Sequence, residues 1–218
     1  MTTSTKPNSS QSDQAYDEIR RRILILEIRP EQRLKEEEWA SKLNVGRLAV
    51  REALTRLYGE SFVTRGEKGG FFAAAMTPED VHEIRGLREI LEVGALRLAA
   101  GKITRFQIHE LEVACDDFAY MVKKGYGTGA CEADRSFHRL LIAASGNKKL
   151  VHAYDHCHIP LFHIIMGQSR EYMDDFADTE REHREIVAAI KGGDFENAVD
   201  LLRRHFSRGE ETALGKSP

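Results

Sequence analysis

The chain has 218 residues, of which 41% are hydrophobic and 31% charged, and a formal net charge of -3. That is length for two unequal domains with separate cores. No apolar run approaches the ~20 residues that a membrane span needs, so no membrane partner is expected. The charge is uneven: residues 1–76 carry a formal +2 and residues 77–218 a formal -5, which makes the first part the better candidate for a polyanion partner.

The opening MTTSTKPNSSQSDQ is polar and has no apolar core of the kind that export signals carry. Residues 1–13 are therefore expected to be a disordered tail, and the protein to be cytoplasmic. From Gln14 to about Leu26, Tyr16, Ile19, Ile23 and Leu26 recur at helical spacing, which Arg29-Pro30 ends. A second helix is predicted over Glu36 to Leu43, a turn at Asn44-Val45-Gly46, and a third helix from Arg47 to about Tyr58. Two β-prone runs, Ser61–Arg65 and Phe71–Ala74, then flank the glycine-rich Gly66–Gly70. Three helices and a hairpin predict a winged helix-turn-helix over residues 14–76.

Thr77-Pro78-Glu79-Asp80 reads as a helix start, with a capping threonine, proline at the first helical position and two acids on the positive end of the dipole. Helices are predicted at about 78–100, 104–124, 129–145, 148–172, 176–191 and 194–212, with Pro160 kinking the fourth. The fold class is thus mostly α: an N-terminal winged helix-turn-helix and, over residues 77–218, an antiparallel all-α bundle of about six helices. Cys115, Cys131 and Cys157 are odd in number and lack C-x-x-C spacing, so they are read as free thiols.

Two sets of residues carry chemistry. Arg47 and Arg51 lie a turn apart at the start of the third helix, and a planar guanidinium fork can bond guanine O6 and N7 together in a major groove. The alternative is that they only solvate a small helix. In the bundle, Asp134 and His138 share a helix face at i, i+4. His183 and His205 sit at nearly equal distances on either side of the Gly192-Gly193 turn, so two antiparallel helices would bring them face to face. Three neutral imidazoles and one carboxylate make a nitrogen-rich set suited to a divalent transition ion, zinc first, with nickel or manganese as alternatives. The competing reading is a coincidence among nine histidines. His152, His156 and His163, with His158 and Cys157 beside them, form a second group on the kinked helix that either supports the first or faces water. Glu182 and Glu185 flank His183, which leaves open a metal-dependent hydrolase with a DNA-binding appendage.

The run Val50-Arg51-Glu52-Ala53-Leu54-Thr55-Arg56-Leu57 and the wing Phe62-Val63-Thr64-Arg65 to Gly70-Phe71 resemble the GntR family of bacterial transcription regulators. The helical remainder resembles the FCD ligand-binding domain of that family's FadR branch, in its six-helix VanR-like type. The resemblance implies operator contacts from Arg47 and Arg51, and a wing tip, Lys68 and Gly69, directed at the minor groove. It implies a metal held by Asp134, His138, His183 and His205, because the family carries Asp-x3-His followed by one histidine on each of the last two helices. It also implies a small carboxylate effector bridging that ion and Arg88, whose alternative reading is a surface ion pair with Glu92 at i+4. A homodimer on palindromic double-stranded operator DNA, acting as a repressor, completes the expectation. The chain departs from the family at Gly46, Leu48 and Ala49, where Ser or Thr, then Thr-Pro, are usual. A glycine N-cap costs only a few tenths of a kcal/mol relative to serine, so the helix should persist while its contacts change: Leu48 can touch a thymine methyl but cannot donate a hydrogen bond.

Overall fold

The structure is a computed structural model that describes residues 10–24, 27–75, 77–156 and 170–214. The chain divides into two compact units, the first ending at Ala75. That first unit runs α1 (Gln11–Leu24), β1 (Arg33–Leu34), α2 (Glu36–Leu43), α3 (Arg47–Gly59), β2 (Val63–Arg65) and β3 (Phe71–Ala73). Helix α1 starts earlier than its apolar periodicity predicts, because Ser10 and Asp13 cap each other. Ser10 Oγ accepts the Asp13 N–H at 3.1 Å, and Asp13 Oδ2 accepts the Ser10 N–H at 3.3 Å. Residues 11–13, expected in the tail, are therefore helical.

Ala15, Ile19 and Ile23 of α1 and Trp39 of α2 are buried, as are Val50, Ala53, Leu54 and Leu57 of α3. Each larger chain among them contributes roughly 1.5–3 kcal/mol by leaving water. Between α2 and α3, Asn44 takes the left-handed conformation (φ 53°) that asparagine tolerates at a helix end, and its N–H returns to the carbonyls of Ala40 and Ser41. Gly46 starts α3 without a side-chain cap, and its N–H is instead held by Gln11 Oε1 at 2.9 Å. The predicted hairpin is present, but the sheet has three antiparallel strands in the order β1-β3-β2, with Leu34 and Arg65 both opposite Phe71. Two-residue β1 is too short to show an alternating pattern, so sequence alone gives no sign of it. In the β2–β3 turn Gly69 and Gly70 have φ of 82° and 92°, conformations that side chains strain to adopt.

The second unit contains six helical rods among the described residues. The first is α4 (Pro78–Arg88), a π-helical turn (Glu89–Val93) and α5 (Gly94–Ala99) in continuous succession. There follow α6 (Arg105–Lys123), α7 (Gly127–Ala144), α8 (Lys148–His156), α9 (Arg170–Lys191) and α10 (Phe195–Ala213). Thr77 caps α4 as its sequence indicates: Thr77 Oγ1 accepts the Asp80 N–H at 3.1 Å and Asp80 Oδ2 accepts the Thr77 N–H at 2.7 Å. The uninterrupted helix predicted over 78–100 is instead widened by the π turn, which buries Glu92 and Val93 side by side. Leu96, Leu111, Phe137, Leu141, Ile186 and Leu202 lead the core shared by α5, α6, α7, α9 and α10. The predicted kink at Pro160, together with Cys157, His158 and His163, falls outside the described residues. Cys115 and Cys131 are buried free thiols, and burial pushes both up to about 12.

Candidate metal centre

Helix α7 places Asp134 and His138 one turn apart on its inner face, α9 brings His183 and α10 brings His205. All four are buried, with exposures of 4%, 0%, 0% and 6%. Each offers one ligand atom, and the four atoms lie within 4.8 Å of one another. The close approaches are His138 Nε2 to His205 Nε2 at 3.2 Å, His183 Nε2 to Asp134 Oδ1 at 3.2 Å, and His138 Nε2 to Asp134 Oδ1 at 3.6 Å. Ligands ~2.1 Å from a shared tetrahedral ion stand about 3.4 Å apart, so these spacings suit one cation.

The outer nitrogens explain why the Nε2 atoms turn inward. His138 Nδ1 lies 2.6 Å from Glu92 Oε2, and His205 Nδ1 lies 2.8 Å from Glu182 Oε2. An ionised carboxylate only accepts, so Nδ1 carries the proton in both rings and the Nε2 lone pairs face the centre. Two lone pairs opposed at 3.2 Å repel unless a cation or a proton lies between them. His183 is set differently: its ring stacks on Phe137, with centroids 3.9 Å apart and planes at 15°, and its Nδ1 has no hydrogen-bond partner. Burial holds the imidazolium forms of His183 and His205 down to about 4, against the pull of Asp134 and Glu182 respectively. Both rings are thus neutral at ordinary pH and able to coordinate. For His138 burial is the largest influence and acts downward, but Glu92 and Asp134 together outweigh it and the net direction is upward.

Arg88 corrects its surface-pair reading. It does pair with Glu92, Nε donating to Oε1 at 2.9 Å, but both are buried, at 3% and 0% exposure. Its guanidinium also lies over the Phe206 ring, 4.6 Å from the centroid. Glu92, which the sequence presents as the outer half of a helical ion pair, is a hub: it takes Arg88, His138 and, at 3.4 Å, the hydroxyl of Tyr154 on α8. The available clue was positional, since Arg88 and Glu92 lie on the stripe that continues through Val81, Ala95, Leu96 and Ala99. Glu182 is likewise committed, to His205 and to Arg208, whose Nε and Nη2 donate to it at 2.7 Å each. Thus engaged, it is unsuited to be a free base beside a bound water. His152 is exposed on α8 and does not join the cluster. The side chain of His156 and all of His163 lie outside the described residues.

In the first unit Arg47 and Arg51 project from the first turns of α3, 57% and 53% exposed, and both meet the start of α2. Arg51 holds Glu36 through Nε and Nη2 at 2.9 Å each, while Arg47 reaches Glu36 at 3.0 Å and Glu37 at 2.7 Å. Leu48 is 68% exposed between them, and Lys68 and Gly69 are exposed in the β2–β3 turn.

A helix-turn-helix unit joined to a helical unit with a candidate metal-ligand cluster is the arrangement of a DNA-binding regulatory protein. Residues 11–73 match the model of the bacterial regulatory proteins of the gntR family, and residues 77–208 match the FCD domain. The chain belongs to the GntR family of regulators and carries an FCD-type C-terminal domain. It is 27% identical over 198 residues to the uncharacterized HTH-type transcriptional regulator YdhC of Bacillus subtilis, covering 89% of this chain and 87% of that protein. It is 29% identical over 143 residues to the HTH-type transcriptional repressor RspR of Escherichia coli K12, covering 65% and 63%. The crystal structure of a GntR regulator from Rhodococcus sp. RHA1 has the same fold, with a TM-score of 0.79 and 22% identity over 96% of this chain and 100% of that one. Family membership sets aside the hydrolase alternative. Among the described residues no helix is long and apolar enough to cross a membrane.

Proposed function

We propose that this protein is a metal-dependent transcriptional repressor of the FadR branch, six-helix VanR-like type, whose operator affinity is controlled by a small organic acid. The observation that carries this reading is the buried convergence of four ligand atoms within 4.8 Å of one another, in the helical unit of a helix-turn-helix protein. Asp134, His138, His183 and His205 hold a divalent cation, with zinc favoured by three nitrogens and one oxygen, and nickel or manganese next. Such an ion supplies a Lewis-acidic position for a carboxylate oxygen. Arg88, whose fork matches a carboxylate, takes the acid's other side.

Residues 14–76 read the DNA. Arg47 and Arg51 address base edges, Leu48 a thymine methyl, and Lys68 with Gly69 the minor groove beside the wing. A homodimer places two such units about one helical turn apart, roughly 34–36 Å, on a palindromic operator. The acid alters operator affinity only to the extent that it binds the two arrangements of the dimer unequally. RspR, named a repressor, supports the sign chosen here. Gel-shift titration of the protein's own upstream region, with and without a panel of small carboxylates, tests this. Acid-dependent release from a palindromic site is expected, and DNA affinity indifferent to every acid and to chelation would sink it.

A further inference from the structure

Glu92 is a carboxylate that touches both the arginine assigned to the effector and a ligand assigned to the metal. Its Oε1 accepts from Arg88 Nε at 2.9 Å and from Tyr154 at 3.4 Å, while its Oε2 accepts from His138 Nδ1 at 2.6 Å. Helices α7 and α8 and the π turn of the first rod thus meet on one carboxylate that is wholly inaccessible to solvent. We infer that Glu92 is a positioning residue that couples the two halves of the site: it divides one negative charge between Arg88 and His138, so that what binds Arg88 is felt at the metal. The inference rests on the metal and acid reading given above.

Fixed carboxylate charge on the outer nitrogen of an imidazole makes its inner nitrogen a stronger ligand. While Arg88 draws on Oε1, less of that charge reaches His138. An acid that takes over the Arg88 fork returns charge to Oε2, which strengthens the bond from His138 to the ion. The sign of coupling is therefore positive: acid tightens metal binding and, by reciprocity, metal tightens acid binding. With Glu92 buried, the low local polarizability keeps each contact strong.

A double-mutant cycle on the full chain tests this with metal alone. Cobalt(II) affinity, measured by competition with a chromogenic chelator, and the cobalt ligand-field absorption are recorded for the natural protein, Arg88→Gln, Glu92→Gln and the double variant. Glu92→Gln should weaken cobalt binding by about 10- to 100-fold. Its amide can donate to His138 Nδ1, which moves the ring proton to Nε2, takes that lone pair from the centre and shifts the absorption bands. Arg88→Gln should tighten cobalt binding by about 5-fold or more when Glu92 is present, and leave it within about twofold in the Glu92→Gln background. If Arg88→Gln does not fold, Arg88→Met, which likewise removes the charge and keeps an unbranched stem, is carried through the same cycle with the same sign expected. Equal effects of the arginine substitution in both backgrounds, or unchanged affinity in Glu92→Gln, would overturn the coupling while leaving the metal reading intact. Failure of the natural protein to bind cobalt would overturn the metal reading itself.

Discussion

Two arginine–glutamate pairs, one in each unit, share a contact distance and differ in their surroundings. Arg51 Nε lies 2.9 Å from Glu36 Oε1 with the arginine 53% exposed, and Arg88 Nε lies 2.9 Å from Glu92 Oε1 with the arginine side chain 4% exposed. In water the first pair gains little, because solvent and salt screen it and two long side chains must be held still. Away from water the second pair can be neither screened nor abandoned, since losing one partner strands a charge. Equal distances therefore carry unequal consequences. The exposed arginines are available to change partners, as the DNA-reading role proposed for them requires, whereas the buried arginine can be drawn from its glutamate only by something that brings an equivalent charge.

Substitution at the buried pair should give the largest effect. Glu92→Ala removes the partner of a buried guanidinium and a support of His138, so it should cost about 3–5 kcal/mol. At a few degrees per kcal/mol for a chain of this size, thermal denaturation should move down by roughly 6–20 °C; a shift of a degree or less would mean that water reaches Glu92. Metal removal is next. A cation present at a hundred times its Kd stabilises by about 2.7 kcal/mol, so chelation should lower the melting temperature of the natural protein and leave that of His183→Ala unmoved. An equal drop in both would locate the ion elsewhere. Arg51→Ala should leave melting unchanged, yet weaken operator binding on the order of 10-fold and relax the preference at one base pair in each half-site, as read by fluorescence anisotropy on operator and single-substituted duplexes. Smallest is Glu37→Gln, which frees Arg47 Nη1 from a carboxylate 76% exposed. It should leave stability untouched, tighten binding to a mixed-sequence duplex by a few fold and steepen the salt dependence by about one unit. Unchanged salt dependence would place Glu37 away from the phosphates.

Much of this arrangement was legible in the residues because it follows from periodicity. The 3.6-residue repeat gave most helices of the bundle, Thr77-Pro78 the start of α4, and Gly192-Gly193 the reversal that sets His183 opposite His205; the break expected between 172 and 176 is instead continuous helix, since α9 runs unbroken from Arg170 to Lys191. What was not legible depends on packing between elements distant in the chain. The stretch Leu87-Arg88-Glu89-Ile90-Leu91-Glu92 scans equally well as a solvated face, and only contact with α7 and α8 decides that Glu92 is inaccessible. Tyr154 carries no motif and gains meaning solely from lying against that carboxylate. The π turn is hard to read in hydrophobic spacing, because a single widened turn shifts the pattern by only about one residue. Two-residue β1 pairs with β3 across more than thirty residues of chain, beyond any local signal. Helix α1 is a different case: its Ser10-Asp13 cap was readable, but the apolar repeat that begins later drew the boundary to Gln14.

The most direct test is the metal content of the purified full chain after dialysis against buffer freed of trace metals, measured by elemental mass spectrometry beside His183→Ala prepared identically. The account predicts about one divalent transition ion per natural chain, and a small fraction of that in the variant, with its circular dichroism retained. A natural chain that carries no ion and takes up none from added zinc, nickel or manganese, or a variant that retains the ion in full, would contradict it.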